Sequence, residues 1–103
     1  MYLVAFRNRK RTDLDAGTYA ADDARMLALA KAQPGFISFK SYMAEDGEVV
    51  ALSEWASEAA AHAWGSHPDH GAVQARGRND YYACYTLFAC ADPRVSQFER
   101  DQV

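Results

Sequence analysis

The sequence predicts an α+β fold of the ferredoxin-like type, with the element order βαββαβ and one four-stranded antiparallel sheet. Three observations predict it. A helical run ends at Pro34-Gly35, and a strand begins immediately afterwards at Phe36. A turn signal at Asp46-Gly47 then joins this strand to a second one that ends at Trp55, which makes a hairpin. A last strand, residues 81–91, follows a second helical region.

The first strand and the first helix occupy the N-terminal third of the chain. Residues 2–10 carry β-branched and aromatic side chains and predict the strand, and Asp13 or Asp15 is suited to cap the helix. Within 16–32 the apolar side of a helical wheel holds Ala16, Tyr19, Ala20, Met26, Leu27 and Ala30. Asp23 falls in this stripe. It is either a buried carboxylate suited to general-base chemistry or, as the favoured interpretation, a solvated acid near the helix start.

Apolar and polar residues are mixed on both faces of the hairpin formed by 36–43 and 48–55. Strand alternation places Phe36 with Ser38, Lys40 and Tyr42, and it places Ile37 with Phe39 and Met43. In a two-layer domain the helices cover one sheet face, so apolar content on the other face needs another cover. A second copy of the chain is the simplest cover, and the sequence therefore predicts a homodimer.

The second helical region is predicted to be broken. Ser57 is a suitable N-cap for a short helix that ends at Trp64, and Pro68 is suited to begin another helix that runs to about residue 80. In the last strand alternation places Tyr81 and Tyr85 on one face and Tyr82 on the other. These elements form one domain, residues 1–93, and the polar tail 94–103 is expected to be loose or to cross to a partner.

Composition excludes several functions. The net charge of −3 and the pI of about 5.5 provide no basic field, so nucleic acid is not an expected partner. The basic cluster Arg7, Arg9, Lys10 and Arg11 is interpreted as a solvated strand tip. The chain shows neither a signal-peptide core nor an apolar run of about 18 residues, which predicts a cytoplasmic protein without a membrane partner.

The two cysteines are predicted to be free. Cys84 and Cys90 lie six positions apart on one strand, which separates them by about 20 Å, too far for a disulfide. Their simplest interpretation is as small buried thiols.

Several segments of the chain resemble the antibiotic biosynthesis monooxygenase (ABM) domain family, a branch of the dimeric α+β barrels. The resemblance spans roughly 2–91 and lies in Pro34-Gly35-Phe36, Asp46-Gly47, Leu52-Ser53-Glu54-Trp55, Ser57-Glu58-Ala59-Ala60 and the stretch from Trp64 to His70. It implies that two ferredoxin-like chains pair through their sheets into a dimeric α+β barrel. It also implies a small apolar pocket between the sheet and the helices of each chain. The family includes oxygenases of aromatic polyketides, haem-degrading enzymes and isomerases of signal molecules.

The histidines are the first candidates for chemistry. His67 and His70 are spaced to share one face of a helical turn, but only Asp69 is close enough in sequence to complete a metal site, so no metal is predicted. In the resembling fold the broken second helix borders the pocket. His70 is the candidate catalytic residue for proton transfer near neutral pH. His62 is expected on the solvent side, without a role.

The candidate substrate-binding residues combine the pocket rim with polar strand positions. They are Trp64, His67, Gln74, Asn8, Ser53 and Tyr85. A purely structural role for Trp64, as a core residue at the end of a short helix, is the alternative interpretation. Comparison with the haem-degrading members predicts no haem, because Gln74 stands where they carry an axial histidine and Phe6 where they carry an asparagine. The polyketide-oxidising members work without metal or flavin, and Arg76 and Tyr81 or Tyr82 are loose counterparts of their site residues.

The resemblance leads to one main functional prediction and two alternatives. The main prediction is an ABM-type monooxygenase that needs no cofactor and acts on a small aromatic or quinol-like compound. The alternatives are a dimer that binds a small metabolite without turnover and an isomerase of an enolisable small molecule. In all three the partners are a second copy of the chain and a small-molecule ligand. A titratable residue inside the pocket favours catalysis over binding alone.

Overall fold

A computed structural model describes residues 1–101 of the protein. Its elements are β1 (Tyr2–Lys10), α1 (Ala16–Lys31), β2 (Phe36–Met43), β3 (Val49–Trp55), α2 (Glu58–Gly65), α3 (Pro68–Arg76) and β4 (Tyr82–Ala91). A π-helical turn, Gly77–Tyr81, joins α3 to β4. All strand pairs are antiparallel, and the sheet order is β2-β3-β1-β4. The ferredoxin-like α+β prediction is confirmed, with the second helix broken between α2 and α3.

The helices begin where the sequence provides caps. Asp15 caps α1, since its Oδ1 accepts a hydrogen bond from the Thr18 backbone N–H at 3.0 Å. Ser57 caps α2 in the same way, through a 3.1 Å bond from the backbone N–H of Ala60. Each cap satisfies a backbone donor that has no partner inside its helix. The predicted helix starts are therefore confirmed. Of the two candidate caps for α1, Asp15 is the N-cap and Asp13 is not.

Gly35 lies where the loop after α1 passes close to α2. Its φ of +84° lies in the left-handed region, and a Cβ at this position would come within 2.6 Å of the Ala60 Cβ. Only glycine meets both requirements without strain. This close approach places α2 over the β2–β3 side of the sheet, next to Trp55.

A bulge in β2 changes which of its side chains face the helices. Phe36 pairs with Trp55 and Phe39 pairs with Ser53, and the register shifts between Phe36 and Ser38. Phe36 and Phe39 therefore share the helix side of the sheet. The prediction that groups Phe36 with Ser38 was wrong, because simple alternation does not allow for the extra residue of a bulge.

A second irregularity lies where β1 meets the start of β4. Lys10 pairs with Tyr82 and Asn8 pairs with Tyr85, with a register shift between Arg9 and Lys10. Tyr82 and Tyr85 therefore both face the helices, and the prediction that separates them was wrong. Tyr81 does not belong to the strand but to the π-helical turn, where only 3% of its surface is exposed. The helix predicted from Pro68 to about residue 80 is α-helical up to Arg76 and π-helical from Gly77 to Tyr81.

The sheet face that points away from the helices, here termed the outer face, is open in the single chain. Its central row pairs Leu52 with Ala5 and Ala5 with Phe88, whose side chain is 51% exposed. The buried hydrophobic core of the described chain is small and consists of Tyr2, Met26, Ala30, Trp55 and Tyr81. An apolar face without cover is typical of an interaction surface.

The two cysteines are unpaired and accessible in the single chain. Cys84 and Cys90 are free, as predicted, but both are exposed, so the prediction of buried thiols was wrong for the single chain. They lie on the outer face, which the helices do not cover.

In the predicted tail, residues 94–100 form no helix or strand, and positions 102 and 103 lie outside the described residues. Within residues 1–101 no helix combines the length and the apolar character that crossing a bilayer requires.

Candidate functional site

A cavity of about 510 Å³ lies between the sheet and the helices. Its wall contains many aromatic side chains, namely Tyr2, Phe6, Tyr19, Phe36, Phe39, Trp55, Trp64, Tyr81, Tyr82 and Tyr85. The volume lies within the range of about 300–1,000 Å³ that is usual for small-molecule sites. Flat π-surfaces of this kind favour a flat, apolar ligand.

At one end of the cavity three rings form a stack. The indole of Trp64 lies 6.4 Å from that of Trp55, and the imidazole of His70 lies 4.3 Å from Trp64 at an angle of 11° between the planes. Trp64 lies in the last turn of α2 and His70 in the first turn of α3, so the break between these helices brings the two rings together. Trp64 is thus both packed against the core and part of the cavity wall.

The hydrogen bond of His70 determines which ring nitrogen is available for chemistry. Its Nδ1 lies 3.1 Å from the backbone carbonyl oxygen of Trp64. Because a carbonyl oxygen only accepts, Nδ1 carries the hydrogen and Nε2 keeps its lone pair. Burial lowers the pKa of His70, and nearby His67 lowers it further, while the bond to Trp64 opposes the shift. At neutral pH the ring is therefore suited to accept a proton rather than to donate one.

The cavity brings together most of the side chains that the sequence singled out. Lining residues among them are Asn8, Ser53, Trp64, His70, Gln74 and Tyr85. His67 lies outside the wall, because its Nδ1 caps α3 by accepting a 3.2 Å hydrogen bond from the Asp69 backbone N–H. His62 lies at the edge of the cavity, although its side chain is 69% exposed as predicted.

The other end of the cavity is formed by Lys10, which the sequence interpretation placed in a solvated tip. Lys10 is half-buried, its Nζ donates a hydrogen bond to Oδ1 of Asn8, and it lies 5.1 Å and 5.4 Å from the ring centres of Tyr19 and Tyr82. Asn8 is only 3% exposed. The earlier interpretation was wrong because Lys10 has the same parity along β1 as Phe6 and Asn8, which face the helices.

The arginines of the same segment do behave as a solvated tip. Arg7 pairs with Glu48 at 3.2 Å and Arg9 with Asp46 at 2.7 Å, both on exposed groups. Arg11 pairs with Asp13 at 2.8 Å. Exposed pairs of this kind contribute little to stability, because water screens their charges. The alternation of β1 is the signal that separates Lys10 from its neighbours.

Asp22 forms a second polar cluster that sequence reasoning missed. Its carboxylate accepts hydrogen bonds from Arg76 Nε at 2.8 Å and from the Tyr81 hydroxyl at 2.6 Å. Arg25 adds a contact at 3.4 Å. The bonds from Arg76 and Tyr81 lower the pKa of Asp22 to about 2. The cluster connects α1 to α3 and to the π-helical turn.

Asp23, which the sequence singled out instead, is exposed, as the favoured interpretation expects. It nevertheless lines the open side of the cavity and faces Lys10 from α1. The apolar stripe of α1 gave no signal for Asp22, because its partners Arg76 and Tyr81 are distant in sequence.

We expect Asp22→Asn to reduce the free energy of unfolding at pH 7 by about 1–3 kcal/mol, since Arg76 and Tyr81 lose a charged acceptor. The folded-state pKa of Asp22 is depressed to about 2, from an ordinary value of 3.8. The contribution is therefore complete above about pH 4 and disappears as the pH falls through 2. Urea unfolding at fixed protein concentration measures it.

Asp13→Asn is the matched control for this prediction. Asp13 forms a two-pronged pair with Arg11 at 2.9 Å and 2.8 Å, but on exposed groups. Its loss should cost much less stability than Asp22→Asn, because solvent screens an exposed pair. Equal losses for Asp13→Asn and Asp22→Asn at pH 7, or a loss for Asp22→Asn that stays constant down to pH 2, would contradict the role given to Asp22.

The described residues offer no ready metal site. Among residues 1–101, no group of three His, Cys, Asp or Glu side chains is arranged to hold a metal ion. The cavity wall does contain His70, Lys10 and several tyrosine hydroxyls, which are groups suited to proton transfer or to hydrogen bonding with a ligand. Burial raises the pKa of Tyr82 to about 12, and it also raises that of Tyr19, so both hydroxyls stay protonated at neutral pH.

Comparison with protein families and curated proteins gives two matches. The family model described as antibiotic biosynthesis monooxygenase matches residues 1–76. The uncharacterized protein YqjZ of Bacillus subtilis (strain 168) is 32% identical over 102 residues, which covers 99% of this chain and 82% of YqjZ.

Solved structures share the fold. Rv0793 from Mycobacterium tuberculosis has a TM-score of 0.78 at 22% identity, and the match covers 93% of this chain and 98% of that one. SnoaB from Streptomyces nogalater, described as a cofactor-independent oxygenase and solved as the mutant N63A, has a TM-score of 0.69 at 19% identity. That match covers 90% of this chain and 95% of SnoaB. At these identities the likeness extends to the fold alone.

Proposed function

The chain belongs to the antibiotic biosynthesis monooxygenase (ABM) family, and on that premise we propose that it is a monooxygenase that acts without a cofactor on a small aromatic or quinol-like compound. The observation that carries the proposal is His70. Its Nδ1 is fixed by the Trp64 carbonyl, its Nε2 keeps a lone pair, and the ring lies in the wall of an aromatic cavity. SnoaB, which shares the fold, is described as a cofactor-independent oxygenase and adds support.

The proposed reaction starts with proton transfer. Nε2 of His70 takes a proton from an acidic carbon of the substrate, such as the CH₂ group of an anthrone, and leaves an electron-rich carbanion. The carbanion reduces dioxygen and forms a C–O bond, and the resulting peroxide loses water. An anthrone and O₂ thus give an anthraquinone and H₂O. One oxygen atom enters the product, the other leaves in water, and the substrate supplies all the electrons.

The cavity walls support this chemistry in two ways. The stacked rings of Trp55, Trp64 and His70 offer a flat surface against which a fused-ring substrate packs. The same apolar walls exclude water from the carbanion, which would otherwise take a proton back before it meets oxygen.

We propose that the active form is a homodimer joined through the outer face, so that two sheets form a dimeric α+β barrel. The half-exposed Phe88 and its neighbours Ala5 and Leu52 support this arrangement, since they form an apolar row without cover. An interface that closes two such sheets should bury more than about 2,000 Å² in total.

Oxygen uptake tests the proposed function. Protein treated with a chelator and free of flavin absorbance is mixed with 1,8-dihydroxyanthrone in an oxygen electrode. We expect uptake in proportion to protein concentration, above the slow uncatalysed oxidation. Uptake at the uncatalysed rate would contradict the proposal. An isomerase of an enolisable molecule would use the same base without oxygen, so product formation under anaerobic conditions would identify that alternative instead.

A further inference from the structure

We propose that Lys10 binds an anionic oxygen of the ligand, a phenolate or a carboxylate, at the end of the cavity remote from His70. The ligand is therefore an elongated aromatic compound that carries an ionisable hydroxyl or carboxyl group. This inference deepens the proposed function and rests on it only for the reaction that the bound compound undergoes. The binding site itself is argued from the contacts of Lys10.

Lys10 has hydrogen-bonding capacity that the described part of the chain does not use. An ammonium group has three N–H donors, and here one of them is used by Asn8 Oδ1. The rings of Tyr19 and Tyr82 flank the ammonium at 5.1 Å and 5.4 Å, and they attract its charge without replacing a hydrogen-bond acceptor. Donors on a half-buried cation that point towards a cavity are suited to bind a ligand oxygen.

Among residues 1–101, no acidic group forms an ion pair with Lys10. The ion pairs within 4.0 Å found among residues 1–101 involve the Met1 amino group, five arginines and His62, and none of them involves Lys10. The charged group that faces Lys10 is Asp23 on α1, which acts on it only through space and is itself exposed. A ligand anion in contact with Lys10 would form the charge-assisted bond that the chain itself does not provide.

Lys10 and the proposed base, His70, lie at opposite ends of the cavity. Tyr2 pairs with Trp55, on which Trp64 and then His70 stack, whereas Lys10 lies eight residues further along β1. At about 3.3 Å per residue these eight steps span roughly 26 Å of strand. Lys10 therefore does not contact the carbon that His70 deprotonates, and its role is to bind and orient.

The stretch between the two ends is apolar and aromatic. Phe6 lies midway along β1, with its ring 5.2 Å from that of Tyr85 and 5.3 Å from that of Tyr82. Side chains from both ends shorten the space that a ligand must bridge. The inferred ligand places its acidic oxygen at Lys10 and extends its aromatic part along these rings towards His70.

The test compares two ligands of equal shape that differ in charge, anthraquinone-2-carboxylate and anthraquinone-2-carboxamide, by titration calorimetry at pH 7.5. We expect the wild type to bind the carboxylate about tenfold more tightly, a value reduced for the partial exposure of Lys10. Lys10→Met should abolish this preference, and Lys10→Arg should retain most of it. Lys10→Gln keeps a side-chain donor for Asn8 and therefore controls for misfolding of Lys10→Met. It should also lose the preference for the carboxylate.

Lys40→Met is the matched control. Lys40 also lies over a tyrosine ring, 5.6 Å from the centre of Tyr42, but on the outer face of β2, away from the cavity. It should keep the full preference for the carboxylate. Asp23→Asn removes the opposing charge and should tighten binding of the carboxylate but not of the carboxamide.

The source of the anionic oxygen is resolved by a third ligand. 2-Hydroxyanthraquinone, titrated below and above the pKa of its hydroxyl group, should bind more tightly when ionised if a phenolate fits the site. Tighter binding of the carboxylate alone would assign the site to carboxylates. Equal affinity for carboxylate and carboxamide in the wild type, binding of neither, or an unchanged preference in both Lys10→Met and Lys10→Gln would overturn the proposal.

These results are independent of turnover. A preference for the carboxylate that depends on Lys10, without oxygen uptake by any anthrone, would retain the anion subsite and overturn the monooxygenase. Oxygen uptake that is unchanged in Lys10→Gln, together with equal affinity for the two ligands, would overturn the subsite and retain the monooxygenase.

Discussion

Replacing His70 by alanine is expected to reduce the rate of anthrone oxygenation by about 10²–10⁴-fold, which is the usual contribution of one acid–base group. The variant loses the Nε2 lone pair that takes the substrate proton. Because burial lowers the pKa of His70, the base loses activity only when the pH falls below its ordinary value of 6.5. The wild-type kcat/KM should therefore rise with pH below that value and level off at neutral pH, and the rise should be absent in His70→Ala.

Asp69→Asn serves as the control for His70→Ala. Asp69 is the neighbour of His70 on α3, it is exposed, and it does not line the cavity. The rate should remain within about twofold of wild type. Circular dichroism of His70→Ala excludes misfolding after loss of the stack on Trp64. A rate unchanged in His70→Ala would contradict its role as the base.

The second large effect is expected at the outer face. Phe88→Asp places a charge in the centre of the proposed dimer interface, opposite Ala5 of β1. Because a two-fold axis introduces the change into both halves, the dimer dissociation constant should rise by roughly 10²-fold or more. Sedimentation at micromolar concentration should then show a monomer or, if the single chain is too weakly packed, loss of the folded protein.

Leu87→Asp tests whether the outer face itself is responsible. Leu87 lies next to Phe88 on β4 with nearly the same exposure, 53% against 51%, but on the helix side of the sheet. It should leave the dimer intact. An 11.4 kDa monomer for the wild type, or a monomer for Leu87→Asp combined with a dimer for Phe88→Asp, would contradict the proposed interface.

Local signals in the sequence predicted the fold well. The caps at Asp15 and Ser57, the break before Pro68 and the turn at Asp46-Gly47 depend on neighbouring residues, and the structure has each element where these signals place it. The two bulges were not predicted, because an extra residue in one strand becomes visible only when its partner strand is known.

The site was predicted less completely than the fold. His70, Trp64, Asn8 and Gln74 were found because a broken helix and a strand face define a pocket rim. Asp22 was missed because its partners Arg76 and Tyr81 lie more than fifty residues away. The inward position of Lys10 follows from strand alternation along β1. It was not predicted, because Lys10 was grouped with three neighbouring arginines that face solvent. Long-range pairing therefore determines the position of Asp22, whereas local alternation along β1 determines those of Asn8 and Lys10.

The most direct test of the central claim is the fate of labelled dioxygen. Metal-free and flavin-free protein is incubated with an anthrone under ¹⁸O₂, and the anthraquinone is analysed by mass spectrometry. If His70 initiates a reaction in which the substrate itself reduces oxygen, the product gains one ¹⁸O atom and the second appears in water. An unlabelled product, or no conversion above the uncatalysed rate, would contradict this account.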